Sequence, residues 1–230
     1  MSFRYGPPTI VTDGLVFYMD AGNPRCYISG SSICTDVIFN AEGTIDNTIN
    51  FNPTNGGYWE FDGSDSDIAL GAQTAGQWSS DPCTFEFVVR KTTLSSGILF
   101  MDRTDWKGTD GVEMFFYYYG GNLTFESRAA GNGSSSPAVA SSPLSIDVWY
   151  HLVGVCDGTD GKVYVNGEED GTDTILPINN STGNSYIGVY GNGSSTNFGG
   201  DLGLMRIYHK ALTAAEVLQN YNANKERFGL

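Results

Sequence analysis

The sequence predicts an all-β fold, an antiparallel two-sheet sandwich of jelly-roll type closed by one short C-terminal helix. Three observations predict it. Short runs that are apolar, or that alternate apolar and polar, recur along the chain and end at Gly, Asn, Asp or Pro. Only 17% of the 230 residues are charged while 30 are glycine, so Ser, Thr, Asn and Gly must cover much of the surface, which suits strands and tight turns. One segment, near the C-terminus, carries the start signal and apolar period of a helix.

The first strand is expected at Leu15–Asp20, stopped by Ala-Gly-Asn-Pro. Further strands are expected at Tyr58–Phe61, Thr84–Arg90, Gly97–Met101, Val112–Tyr119, Leu123–Ser127, Trp149–Cys156, Lys162–Asn166, Ser185–Tyr190 and Leu202–Tyr208. Two hairpins follow from turn chemistry. Asp-Gly pairs between Cys156 and Lys162 supply left-handed conformations for a tight connection, and the double glycine in Tyr119-Gly-Gly-Asn122 does the same. Along Thr84–Arg90, Phe85, Phe87 and Val89 share one face while Thr84, Glu86, Val88 and Arg90 share the other, so one sheet face should be buried and the other at least half wet. The helix is expected at Leu212–Asn222, with Thr213 and Glu216 as a capping box and Leu212, Val217, Leu218 and Tyr221 on its apolar side. The Gly/Ser-rich stretches 131–143 and 191–200 read as polar connections, too short to separate domains. The chain is therefore read as an N-terminal arm, residues 1–12, stiffened by Pro7 and Pro8, and a single domain, residues 13–230.

Charge narrows the partners. Twelve Lys and Arg stand against 26 Asp and Glu, a net charge of −14, and no basic cluster offsets the excess, so nucleic acid and anionic membranes are poor partners. No window approaches the roughly 20 apolar residues of a membrane helix, and the N-terminal residues lack the basic and apolar regions of an export signal. A protein made in a reducing cytoplasm is expected, with Cys26, Cys34, Cys83 and Cys156 as free thiols and the Asn-x-Ser/Thr sequons as ordinary turns.

Three segments carry a recognisable order: Asp13–Asn23 with Tyr58–Gly63, then Trp149–Gly158 with Lys162–Gly167, then Gly203–Glu216. Together they resemble the laminin-G/concanavalin-A-like jelly roll, in which a W-H-V-x-x-x-x-D-G … L-Y-V-N-G hairpin precedes a final V-R-I-Y-x-R-A-L-S-x-x-E strand and helix. The resemblance implies that His151 fills the place of a structural His or aromatic. The opening Pro7–Phe17 and the ending Asn220–Leu230 are similar to stand-alone members found among tailed-phage virion proteins. That similarity implies a virion component assembled in a host cytoplasm, with capsid or tail subunits as partners and a homo-oligomer among the arrangements; the Pro-stiffened arm is a candidate contact with a neighbour, the alternative being a disordered start.

The chemistry the residues offer is mostly recognition. Glycosidases of this class resemble one another in a Glu-x-Asp-x-x-Glu strand that aligns acid and nucleophile on one face, and no such strand exists here. Glu86 and Arg90 flank only apolar residues, Glu113 stands alone, and Glu168–Asp170 read as a solvated turn. Neither His151 nor His209 accompanies a nucleophile motif, so the chain is expected not to be an enzyme. Asp62, Asp65 and Asp67 lie within six residues and form a candidate calcium site, the alternative being a turn that caps a strand. Family members often hold calcium near this turn or by an Asp before the final strand, where this chain has Gly203 with Asp201 displaced by two residues. Trp78, Trp106, Tyr117 and Tyr119 are candidates for stacking on a sugar, the alternative for the tyrosines being core and subunit contact. Two functions stay open: a non-enzymatic virion structural protein displaying a lectin-like jelly roll, and a carbohydrate-binding module for host-surface or polysaccharide recognition.

Overall fold

The computed structural model describes residues 9–46, 48–71, 82–93, 97–102, 112–116, 122–128, 135–139, 143–175, 184–189 and 197–230. In chain order the first strands are β1 (Leu15–Asp20), β2 (Ile33–Thr35), β3 (Glu42–Ile45), β4 (Asn50–Asn52), β5 (Tyr58–Asp62) and β6 (Ile68–Gly71). Then come β7 (Cys83–Lys91), β8 (Gly97–Asp102), β9 (Val112–Phe116), β10 (Leu123–Arg128) and β11 (Ser135–Val139). The last are β12 (Trp149–Cys156), β13 (Asp160–Val165), β14 (Glu168–Thr174), β15 (Ser185–Ile187) and β16 (Gly199–Tyr208), followed by helix α1 (Ala214–Phe228).

They form two antiparallel sheets. The first runs β14-β13-β12-β7-β16-β5-β4, with β1 also paired to β16, and the second runs β11-β10-β9-β8-β15-β6-β3-β2. β16 is the longest strand, and it pairs with β7 on one edge and with β5 then β1 on the other. Strands from both ends and the middle of the chain thus meet at one place, as a jelly roll requires. The inward face of β7 is the one its alternation indicates: Phe85, Phe87 and Val89 are fully buried, and Phe85 lies 5.3 Å from Phe100 of the facing sheet, ring centre to ring centre.

The opposite face of the first sheet departs from the sequence reading. Thr84, Glu86 and Val88 are as buried as the phenylalanines, because α1 lies across them. The capping box holds as expected, with the Glu216 amide donating to Thr213 Oγ1. The helix, however, continues beyond Asn222 to Phe228, about 22 Å in all at 1.5 Å per residue. That length carries Phe228 to Trp149, 4.9 Å between ring centres, while Val217 and Leu212 pack with Val153, Val155 and Tyr208 at the other end. Residues 9–12, which the sequence places in the arm, share this packing: Val11 is buried in the same cluster, its N–H donates to Asn220 Oδ1 at 2.8 Å, and Thr9 O accepts from Gln219.

Two further differences have local causes. Glu168–Asp170 begin edge strand β14 rather than forming a turn, because Asn166 and Gly167, at φ 53° and 84°, already complete a two-residue reversal from β13. The acidic side chains then line a sheet edge, where charge discourages pairing with other chains. Ser135–Val139, within a stretch read as a connection, forms β11 at the end of the second sheet, an edge position that tolerates Pro137. The four cysteines are buried free thiols, Cys83 and Cys156 sitting opposite each other on β7 and β12.

Candidate functional site

Glu86 lies at the centre of the covered face. Pairing of β7 with β16 sets Arg206 directly opposite it, and the β12 strand on the other side brings His151 within reach. Glu86 Oε1 accepts from Arg206 at 2.7 Å and from His151 Nε2 at 3.0 Å, while Oε2 accepts from Asn220 at 2.8 Å and from the Tyr208 hydroxyl at 3.2 Å. The second Arg206 nitrogen reaches the Tyr18 hydroxyl and Asn224 Oδ1, and its guanidinium stands 4.5 Å over the Tyr18 ring. Burial alone would push the Glu86 carboxyl upward, but the Arg206 charge and the His151 hydrogen bond outweigh it and hold it down at about 2. Burial works against the Arg206 cation as well, yet the neighbouring carboxylate keeps it above its ordinary value. Burial, before any charge effect, raises the Tyr208 hydroxyl.

A carboxylate, an imidazole and a phenol within hydrogen-bond distance resemble an acid–base constellation. Glu86 and His151 are 0% exposed, and both Glu86 carboxylate oxygens accept hydrogen bonds from neighbours. The cluster ties α1, β7, β12 and β16 together beneath the helix. A second tie closes the helix end, where Arg227 grips Asp20 through two hydrogen bonds of 2.8 Å and donates to the carbonyls of Asn55 and Gly57. Sequence reasoning missed the cluster by treating Glu86 as an isolated charge. The available signal was a set of polar residues in one register: Thr84 and Glu86 on β7, Arg206 on β16, and Asn220 and Asn224 four apart on α1.

Asp62 occupies a capping turn. Its Oδ1 accepts from the amides of Ser64, Asp65 and Ser66 and from the Ser66 hydroxyl. The Ser64 amide is the leading reason its carboxyl sits low, at about 2. Asp67 is shifted upward instead, by burial and then by the charge of Asp46. Asp62, Asp65 and Asp67 are not brought together as a ligand set, and among the described residues no three His, Cys, Asp or Glu side chains converge as a metal ion needs. Trp78, Trp106, Tyr117 and Tyr119 lie outside the described residues.

Open depressions lie elsewhere on the surface. An open depression of about 340 Å³ lies between residues 27–32 and the chain around Asp46 and Asn50. Tyr27 and Phe51 line it, their rings 5.2 Å apart, and Tyr27 also packs edge-on against Trp59 at 5.5 Å. Asp46, Asn50 and three serines supply the polar groups. On the other side of the same loop, Arg25, Ile28 and Ile33 border a second depression of about 460 Å³.

Residues 62–218 match the family of concanavalin A-like lectin/glucanase domains, and the chain belongs to that superfamily. Among solved structures, it is similar to domain 4 of AbnA, a GH43 extracellular arabinanase from Geobacillus stearothermophilus, in complex with arabinotriose: TM-score 0.73, 21% identity, 90% of this chain and 98% of that one. The binding domain of Paraclostridial Mosquitocidal Protein 1 is similar at TM-score 0.72 and 16% identity, over 91% of this chain and 52% of that one. Trypanosoma rangeli sialidase in complex with sialic acid is similar at TM-score 0.67 and 16% identity, over 95% of this chain but 34% of the sialidase. At these identities the likeness concerns the fold. No curated protein sequence matches the chain.

Proposed function

We propose that this chain is a non-catalytic carbohydrate-recognising domain. The observation that carries the reading is the closure of the first sheet: the carboxylate best placed for acid–base chemistry, Glu86, is sealed under α1 and fully hydrogen-bonded, while the open surface offers aromatic and hydroxyl groups. The superfamily, and the arabinotriose held by the similar arabinanase domain, support it. Binding of the purified chain to a panel of immobilised oligosaccharides, with reducing-end release assayed in parallel, tests it. Retention of at least one glycan with no release of reducing ends is expected. Release of reducing ends from any of them would overturn the non-catalytic reading.

A second reading concerns setting and is compatible with the first. The similarity of the opening and closing segments to stand-alone tailed-phage proteins favours a surface-displayed virion component, either capsid decoration or tail fibre, formed in the host cytoplasm. Light scattering and a pull-down against capsid and tail subunits test it. A stable oligomer or a captured subunit supports it, and a monomer indifferent to both contradicts it. Because residues 9–12 dock on α1, the arm is best tested by deleting residues 1–8.

A further inference from the structure

We propose that the depression beside Tyr27 is a subsite for a neutral sugar, one that excludes sialylated and uronic-acid glycans. The inference rests on the carbohydrate-recognition reading and assigns it a place and a ligand class.

The walls are built before any ligand arrives. The Tyr27 hydroxyl accepts from the Gly30 amide at 3.1 Å, the amides of Cys26 and Tyr27 both donate to Asn23 O, and Ser31 Oγ joins the Ile33 N–H and C=O. Across the gap, Asp46 Oδ1 accepts from the amide and hydroxyl of Thr48, each at 2.8 Å, and that hydroxyl is in turn 2.7 Å from Ser66 Oγ. Loops held this firmly lose little freedom on binding.

The groups left over suit one kind of ligand. The exposed side chains of Ser29, Ser32 and Asn50 have no hydrogen-bond partner among the described residues, and Asp46 Oδ2 has none there either. Hydroxyls, an amide and a carboxylate oxygen can donate to and accept from sugar hydroxyls in both directions. Phe51, half-buried on the Tyr27 ring, offers carbon surface for the C–H face of a pyranose or furanose. At about 340 Å³ the space lies at the lower end of the usual range for small-molecule sites, which fits a short saccharide rather than a long chain. No Lys, Arg or His is among the described residues lining it, and Asp46 is, in a chain of net charge −14. An anionic sugar would meet like charge, and no described lining residue carries a compensating cation.

Titration of the full chain by calorimetry and by amide chemical shifts tests the assignment. The probes are neutral arabino-, xylo-, gluco- and manno-oligosaccharides alongside sialyllactose and oligogalacturonate. The expected result is binding of a neutral probe with shifts concentrated at Ser29–Ser32 and Asn50, at least tenfold weaker in Asn50→Ala and in Ser29→Ala/Ser32→Ala, and no binding of the acidic probes. Both variants alter exposed side chains, so the fold should be kept. Neutral binding untouched by these variants but lost in Trp78→Ala or Trp106→Ala overturns the assignment and leaves carbohydrate recognition standing. Tighter binding of an acidic probe overturns the neutral class. Binding of no glycan at all removes the recognition reading together with the subsite.

Discussion

Replacing Arg206 by methionine should be among the most damaging substitutions in the chain. It leaves Glu86 fully buried without the charge that holds its carboxyl down and without its shortest contact, the 2.7 Å hydrogen bond from the guanidinium. Breaking a buried pair from one side costs about 3–5 kcal/mol. At about 2–4 °C per kcal/mol for a domain of this size, the thermal midpoint should fall by about 6–20 °C. Glu86→Gln should be similarly harmful, since it strands the Arg206 cation, whereas the double variant Glu86→Gln/Arg206→Met should recover part of the loss. Urea denaturation of the four proteins, read as a double-mutant cycle, measures the coupling. The pH dependence gives an independent reading. The folded-state carboxyl of Glu86, at about 2, lies below its ordinary value near 4.5, so its contribution is fully present above about pH 5 and disappears as pH falls toward 2. The difference corresponds to about 3 kcal/mol, absent from the Glu86→Gln protein. An Arg206→Met protein within 1 kcal/mol of the parent at pH 7, or equal acid sensitivity in parent and Glu86→Gln, would refute the account of this cluster.

Other consequences are more local. Gly203→Ala would set a Cβ 2.4 Å from two carbons of the Phe228 ring, so it should push the end of α1 off the sheet and cost about 1–3 kcal/mol in urea unfolding. The four thiols should resist a disulfide reagent at pH 8 in the folded chain and all react once it unfolds, since they are buried and burial lifts Cys26 to about 11 and Cys34 higher still. Calcium should leave the thermal midpoint unchanged, because Asp62 spends Oδ1 on its own turn; a rise of several degrees at millimolar calcium would reinstate the aspartates as ligands.

The strands that announce themselves are those with enough apolar residues to be buried from both sides. Leu15–Asp20 and Trp149–Cys156 end where the sequence says they end, one at a Gly-Asn-Pro stop and the other at Asp-Gly. β3, β4 and β6 carry too little pattern of their own; Asn50-Phe-Asn52 is a strand because Tyr58, Trp59 and Glu60 stand opposite it. The second half of α1 was hidden for a related reason. One of its two buried positions is Asn224, which, like Asn220 one turn earlier, a hydrophobic pattern scores as surface, and both are inside because Glu86, Arg206 and Val11 need hydrogen-bond partners there. A buried polar cluster assembled from β7, β12, β16 and α1 is a property of register, which periodicity within one segment does not contain. The depression beside Tyr27 was hidden likewise, since Ser29–Ser32 and Asn50 face one another only after β2 has paired with β3 and β4 with β5.

A crystal structure of the chain soaked with the neutral oligosaccharide it binds best would test the central claim most directly. The account predicts an intact sugar against Tyr27, Phe51, Asn50 and the serines of the neighbouring loop, with α1 still seated over a dry Glu86. A sugar bound against Glu86 beneath a displaced helix, or one found cleaved, would contradict it.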